Sequence, residues 1–279
     1  VLSVASRLIP DILQQCEAKG VRAINILTSG FEELSGDEGA RRHRLLTDFV
    51  QRTGIRLVGP NCFGVLSVRY NYAGMAGSYP TLPSGRLSLA FQSGGLALNM
   101  VQACVDRQIP LAHVVSSGNE ADLEFADCLD FFADDVHTQV IGCFVEQFRH
   151  PDRFLAAAEK CAAVRKPLVM LKVGRSEAGQ RAAQAHTGAL AGSDRIIDAV
   201  LQKYGALRVY SLDEMLETLC IMHARHLPPG NGLGAITFSG GAVSMMADLA
   251  ADYGLHFPPI HEAGAQQIRQ VLYEYGTVN

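Results

Sequence analysis

The sequence predicts an α/β protein of doubly wound parallel sheets, arranged as three successive units. Three observations carry this. Short apolar runs alternate with segments of helical periodicity, the pattern of strand–helix–strand crossovers. Glycine turns close apolar runs and open helices, in Phe91-Gln92-Ser93-Gly94-Gly95 and again in Phe238-Ser239-Gly240-Gly241-Ala242. A chain of 279 residues with 48% hydrophobic and 19% charged content has enough apolar mass for a large core.

In the first unit, Ile9 to Cys16 reads as a helix, with Pro10 in its first turn and Gly20 past its end. Ala23 to Thr28 is a strand, followed by Ser29-Gly30-Phe31. Leu45, Leu46, Phe49 and Val50 share one helical face that stops at Gly54. Ile55 to Val58 is the next strand, closed by Gly59-Pro60-Asn61-Cys62. Two strands are too few for a finished domain, so its first half is expected to lie before Val1. From Val65 to Gly85 the periodicity gives way to Tyr, Gly, Pro and Ser, which predicts a linker. This unit with its linker is assigned to 1–82.

The second unit, 83–228, is the complete one. Its strands are Leu87 to Phe91, His113 to Ser116, Val140 to Val145, Leu168 to Val173 and Leu207 to Tyr210. Its helices run from Leu96 to Arg107, along Leu123, Ala126, Leu129 and Phe132, from Phe154 to Val164, from Arg195 to Tyr204, and from a Ser211–Glu214 capping box through Cys220. Pro228-Pro229-Gly230-Asn231-Gly232 marks a boundary. The third unit, 229–279, opens with a strand from Ala235 to Phe238 and a helix from Ala242 to Tyr253.

Composition excludes several classes. A formal net charge of −4 leaves no basic footprint for nucleic acid, and no apolar run is long enough to cross a bilayer. The seven cysteines are scattered with no Cys-x-x-Cys pair, so neither zinc nor a dithiol site is indicated, and a reducing, cytoplasmic setting is expected. The start at Val1, interrupted by Arg7 and Asp11, is not a signal peptide.

Ligands of open α/β sheets bind beyond the carboxyl ends of the strands, and the chemically capable residues collect there. Ser93-Gly94-Gly95 and Ser239-Gly240-Gly241 open helices, where exposed N–H groups and the helix dipole suit a phosphate. Ser117-Gly118-Asn119 and Glu146 each follow a strand. The long stretch Gly174 to Asp194 follows another, and its chemically capable side chain is His186, set among small residues. Close strand–helix packing also demands glycine, a strand-end carboxylate is often only solvated, and a lone loop histidine is often incidental. Together, however, a histidine, a carboxylate that fixes its tautomer and two helix N-termini suit a phosphorylated histidine.

The motifs then resemble one family. Gly59-Pro60-Asn61-Cys62, Gln92-Ser93-Gly94-Gly95, Asp134-Asp135 with Thr138, Glu146, Lys166-Pro167 and above all Ala185-His186-Thr187-Gly188-Ala189-Leu190-Ala191-Gly192 follow the order of NDP-forming acyl-CoA synthetases, relatives of the succinyl-CoA synthetase alpha subunit. The resemblance implies a partial Rossmann-like CoA-binding unit, a flavodoxin-like ligase domain and the start of a second one. It implies that a carboxylic acid, CoA and ATP give acyl-CoA, ADP and phosphate, through an acyl phosphate and a phosphohistidine at His186. In the family that histidine loop swings between an acyl/CoA site and a distant nucleotide site. Glu146 matches the glutamate that steadies the family's histidine. Ser93, Gly94 and Gly95 match the first phosphate-binding helix, and Gly240 and Gly241 the second. Asn61 and Cys62 match a turn near the CoA thiol end, with Ser117, Gly118 and Asn119 placed in the same vicinity.

Two departures matter. The family's early glycine-rich CoA turn is absent, and nothing resembles an ATP-grasp domain. The nucleotide and its Mg2+ are therefore expected mainly outside this chain, on a further domain or a beta subunit, within an oligomer. The alternatives are a CoA-binding regulatory module without chemistry, or a true succinyl-CoA synthetase alpha subunit; Ala-His-Thr-Gly and the third unit disfavour the latter. His223 and His226 are expected to bind no metal. Asp134-Asp135 is expected to close a helix, although Asp135 could meet the histidine loop. The acidic residues from Glu32 to Glu38 are expected to form a solvated face.

Overall fold

The structure is a computed structural model that describes residues 1–34, 36–77, 82–181, 194–224, 228–274 and 276–278. It divides into two compact units, Val1–Ala224 and Arg225–Asn279.

The first unit begins with helix α1 (Ile9–Ala18), strand β1 (Ala23–Asn25), helix α2 (Asp37–Thr53) and strand β2 (Arg56–Val58). β1 and β2 pair in parallel, Ile24 opposite Leu57, and Leu2 adds a parallel bridge to Ile26. α2 ends as its sequence requires. Gly54 adopts φ 70° and its N–H donates to the Val50 carbonyl at 2.8 Å, a left-handed cap. Ile9, Leu13, Leu46 and Phe49 from the helices close over Ile24, Ile26 and Leu57.

A seven-stranded sheet follows. Its strands are β3 (Gly64–Ser67), β4 (Tyr72–Met75), β5 (Ser84–Phe91), β6 (Leu111–Ser116), β7 (Val140–Val145), β8 (Leu168–Lys172) and β9 (Leu207–Val209), in spatial order β4-β3-β6-β5-β7-β8-β9. The five from β5 to β9 are parallel, and counted among themselves they stand in the order 2-1-3-4-5, that of a flavodoxin-like sheet. Every residue of β7 and β8 is buried, as a strand covered on both faces must be. Alternation sends Val140 and Phe144 to one face, with Met100, Val101, Met215 and Leu219 of helices α3 (Gly94–Asp106) and α7 (Leu212–His223). Ile141, Cys143 and Val145 go to the other, with Leu129, Phe132, Phe154 and Leu201 of α4 (Phe125–Asp134), α5 (Pro151–Ala163) and α6 (Asp194–Lys203). Phe132 is fully buried in that second face. Phe132→Ala is expected to cost about 3–5 kcal/mol, read as a lower urea midpoint at unchanged m-value.

Residues 65–75 correct the linker expectation. β3 pairs antiparallel with both β4 and β6, so the stretch widens the seven-stranded sheet. Strands of four residues joined through a turn with Asn71 at φ 49° carry too short an alternation to stand out from their Tyr, Gly and Asn content. Beside this edge, Ser67 Oγ meets His113 Nδ1 at 2.9 Å and His113 Nε2 meets Asp135 Oδ2 at 3.1 Å. Ser67 and His113 are buried, as is the side chain of Asp135, which also accepts from the Thr138 hydroxyl at 2.6 Å. The group therefore ties β3, β6 and the end of α4 together. Ser211 caps α7 by accepting the Glu214 N–H at 3.1 Å, but Glu214 reaches back to the Tyr210 N–H rather than to Ser211.

The second compact unit contains α8 (Gly240–Asp252) and α9 (Glu262–Arg269), with a parallel bridge from Gly232 to His256. The strand expected over 235–238 does not form. Hydrogen bonds to a neighbour define a strand, and among the described residues nothing pairs with these four.

Candidate functional site

α3 and α5 lie on opposite faces of the sheet, so the chain diverges between β5 and β7. Their carboxyl ends flank the crevice where such sheets bind ligands. A cavity of about 300 Å³ opens there, and its lining draws on both halves of the first compact unit. Asn61, Cys62 and Phe63 come from the turn after β2. Ser93, Gly94 and Gly95 come from the start of α3, Gly118 and Asn119 from the loop after β6, and Glu146 from the end of β7.

The chain builds each wall by specific bonds. Ser93 caps α3 by accepting the Leu96 N–H at 3.4 Å. The N–H groups of Gly94 and Gly95 are among those a helix start leaves unbonded. Gly94 must be glycine, because a Cβ would sit 2.5 Å from the Phe63 ring. Gln92, buried just below, fixes the strand end opposite. Its Oε1 accepts from the N–H groups of Glu146 at 2.6 Å and Gln147 at 2.9 Å. Its Nε2 donates to Glu120 Oε2 at 3.0 Å. From the other side, buried Lys172 donates to the carbonyls of Glu146 at 2.8 Å and Val173 at 2.5 Å. Burial, then the nearby Arg208, lowers its ammonium to about 8. The loop after β6 is stitched to the turn after β2: Asn119 N–H to Pro60 O at 2.9 Å, Ala121 N–H to Gly59 O at 3.0 Å and Leu123 N–H to Leu57 O at 3.1 Å.

The model of a family described as succinyl-CoA ligase like flavodoxin domain matches residues 84–222. The chain is 37% identical over 256 residues to the alpha subunit of acetate–CoA ligase (ADP-forming) I of Pyrococcus furiosus, covering 92% of this chain and 55% of that relative. The chain belongs to the NDP-forming acyl-CoA synthetase family. Another member, acetate–CoA ligase (ADP-forming) of Methanocaldococcus jannaschii, is 32% identical over 98% of this chain and 38% of its own length. Among solved structures, the Ca. Korarchaeum cryptofilum dinucleotide forming acetyl-coenzyme A synthetase 1 in complex with phosphate and ADP superposes with a TM-score of 0.81 at 30% identity, over 99% of this chain and 59% of that one. The chain thus spans about half the length of such alpha-subunit family members.

Of the residues singled out from the family's motifs, Asn61, Cys62, Ser93, Gly94, Gly95, Gly118, Asn119 and Glu146 line one cavity. Ser117 lies beneath it, fully buried, its hydroxyl donating to Glu120 Oε1 at 2.7 Å. The Cys62 thiol is buried, which pushes it up to about 12, and it lies within hydrogen-bond reach of Ile26 O and Asn25 Oδ1. His186 lies outside the described residues, as does His226. Gly240 and Gly241 belong to the second compact unit, where Ser239 caps α8 on the Ala242 N–H as Ser93 caps α3. Among the described residues no group of three or more His, Cys, Asp and Glu is placed to hold a metal ion.

The acidic stretch corrects an expectation. Glu32 and Glu33, half-buried, line the cavity, while Asp37 and Glu38 are solvent-exposed as expected. Glu33 accepts from the N–H groups of Gly30 and Phe31 and from the Asn119 amide. Burial works to raise Glu33, but these donors outweigh it and hold its carboxyl below the usual range. Arg149 and Glu120 are the other residues the sequence did not reveal. Glu120 is buried with φ 53° and accepts from Ser117, Gln92 and the Phe125 N–H. Burial nevertheless pushes it up to about 7. The folded protein then holds this proton more tightly than the unfolded chain does. Its contribution is most favourable below about 4.5 and declines as pH rises to about 7. Paired urea titrations should show wild type losing stability relative to Glu120→Gln across that window, by about 3 kcal/mol at most.

Proposed function

We propose that this chain carries the acyl-transfer half of an NDP-forming acyl-CoA synthetase. A carboxylic acid, CoA and ATP become acyl-CoA, ADP and phosphate by way of a phosphohistidine at His186. The observation that supports it is the shared cavity. The Glu146 strand end, the exposed N–H groups of Gly94 and Gly95, and the Asn61–Cys62 turn face one space at the sheet's switch point.

Each group then has a task. Glu146 accepts an imidazole N–H, which leaves the other ring nitrogen free to attack the γ-phosphorus. The N–P bond forms as the bond to the leaving ADP oxygen breaks. Gly94 and Gly95 hold the phosphoryl oxygens, at a helix start that favours negative charge. A substrate carboxylate oxygen next attacks phosphorus, and the N–P electron pair returns to the ring. Attack of the CoA sulfur on the acyl carbon then expels phosphate, with the thiol proton leaving on it. Asn61 and Cys62 frame the side from which the thiol enters. The nucleotide site, with its magnesium, belongs to an ATP-grasp partner domain or subunit. Gly240 and Gly241 would receive the phosphoryl group at a second helix start.

With that partner and labelled ATP present, His186 is expected to take up acid-labile, base-stable phosphate, and His186→Asn to take up none. A wild-type chain that stays unlabelled, or label at another residue, would falsify the reading. His186→Asn with full turnover would point instead to a CoA-binding module without chemistry.

A further inference from the structure

We infer that Arg149 is the residue that grips the carboxylate of the acid substrate. The inference rests on the function proposed above. Among the described residues that line the cavity, Arg149 is the one cation, and it faces the carboxylates Glu32, Glu33 and Glu146. An anionic acid entering beside the phosphoryl site needs such a counter-charge. Arg149 also follows Glu146 by three residues, so the same strand end that aims the carboxylate aims the guanidinium.

Its bonding is what reserves it for a ligand. Nε and Nη2 form the side of a guanidinium that fits a carboxylate with two parallel hydrogen bonds. Here that fork is split. Nη2 donates to Glu32 Oε2 at 2.5 Å. Nε is buried, has no hydrogen-bond partner among the described residues, and lies 3.9 Å from Glu120 Oε2. Glu120 is already occupied by Ser117, Gln92 and Phe125, so it does not close on Nε. Glu32 has a second place to go. His43 Nδ1, also buried and without a hydrogen-bond partner among the described residues, lies 3.6 Å from the same Oε2. A substrate carboxylate can take both prongs of Arg149 while Glu32 falls back on His43.

The grip suits both bond changes. Arg149 holds the oxygen that stays with carbon. The other carboxylate oxygen gives up its prong as it forms the bond to phosphorus and the bond to His186 breaks. When sulfur adds to carbon, the held oxygen carries the developing negative charge until the carbon–oxygen bond to phosphate breaks.

The test uses the full enzyme with its nucleotide-binding partner. Arg149→Gln should raise the KM of the acid by about 10- to 100-fold, the loss of hydrogen bonds between charged groups. The KM values of CoA and ATP should stay within about twofold, and ATP should label His186 as in wild type. Arg149→Lys should restore only part of the affinity, since an ammonium cannot present a fork. Glu32→Gln should lower the acid's KM by freeing Nη2. An unchanged acid KM in Arg149→Gln, or a common rise in all three KM values with lost labelling, overturns the inference while leaving the phosphohistidine reading intact in wild type. A wild-type enzyme that is never labelled removes both.

Discussion

Glu146→Gln should reduce turnover by about 100- to 10,000-fold, the range expected when an orienting or proton-handling group is lost. The amide keeps the shape of the side chain but not its charge, and its NH2 can face the imidazole only as a donor. With the NH2 toward the ring the tautomer inverts or the bond is lost, and with Oε1 toward it the bond survives only as a neutral one that no longer offsets the positive charge on the reacting ring. The fold should not notice. The strand end is pinned through main-chain atoms, by Gln92 on the Glu146 N–H and Lys172 on its carbonyl, and these survive the change. Steady-state kcat beside a urea midpoint separates the two effects. An activity within about threefold of wild type would make Glu146 a bystander.

Gly118→Ala should be the more damaging change to architecture. Gly118 has φ 60°, and a Cβ there would sit 2.3 Å from Pro60 O and 2.5 Å from Asn61 O. Both are backbone atoms that cannot swing aside. The left-handed conformation alone costs a residue other than glycine about 1–2 kcal/mol, and forced overpacking adds about 1–3 kcal/mol. The loop after β6 would lift from the turn after β2, loosening the Asn119 and Ala121 bonds that shape one wall of the cavity. A lower unfolding midpoint and a raised KM for CoA are expected together. Gly95→Ala offers the contrast, because a Cβ there meets nothing within 4 Å and stability should hold. Equal stability of Gly118→Ala and wild type would contradict the packing argument.

What could be read from the residues alone was whatever is local. A strand, a glycine turn and a helix are written consecutively, so Ser93-Gly94-Gly95 and the end of β7 at Glu146 were legible; the alternation gave a doubly wound parallel sheet, and its flavodoxin-like character was what the resemblance implied. β3 and β4 were not, because four residues give period two little room to repeat. Residues 235–238 failed for another reason: their pattern is that of a strand, but a strand is a property of a pair. Arg149, Glu32 and Glu120 were invisible because their meaning lies in who meets whom. Glu32 and Arg149 are separated by 117 positions, and only the folded chain brings them to one guanidinium. The split fork was therefore a tertiary fact with no linear signature.

The seam between the turn after β2 and the loop after β6 has a consequence for anyone recombining these proteins. Three main-chain bonds cross it, Asp122 adds bonds to the Arg56 side chain and the Leu57 N–H, and Ala121 is buried in the core of the first half. A hybrid that took its opening segment from one parent and its ligase sheet from another would mate two mismatched edges. Residues 56–61 and 117–123 would have to be inherited as a single cassette, whatever crossover point is chosen between them.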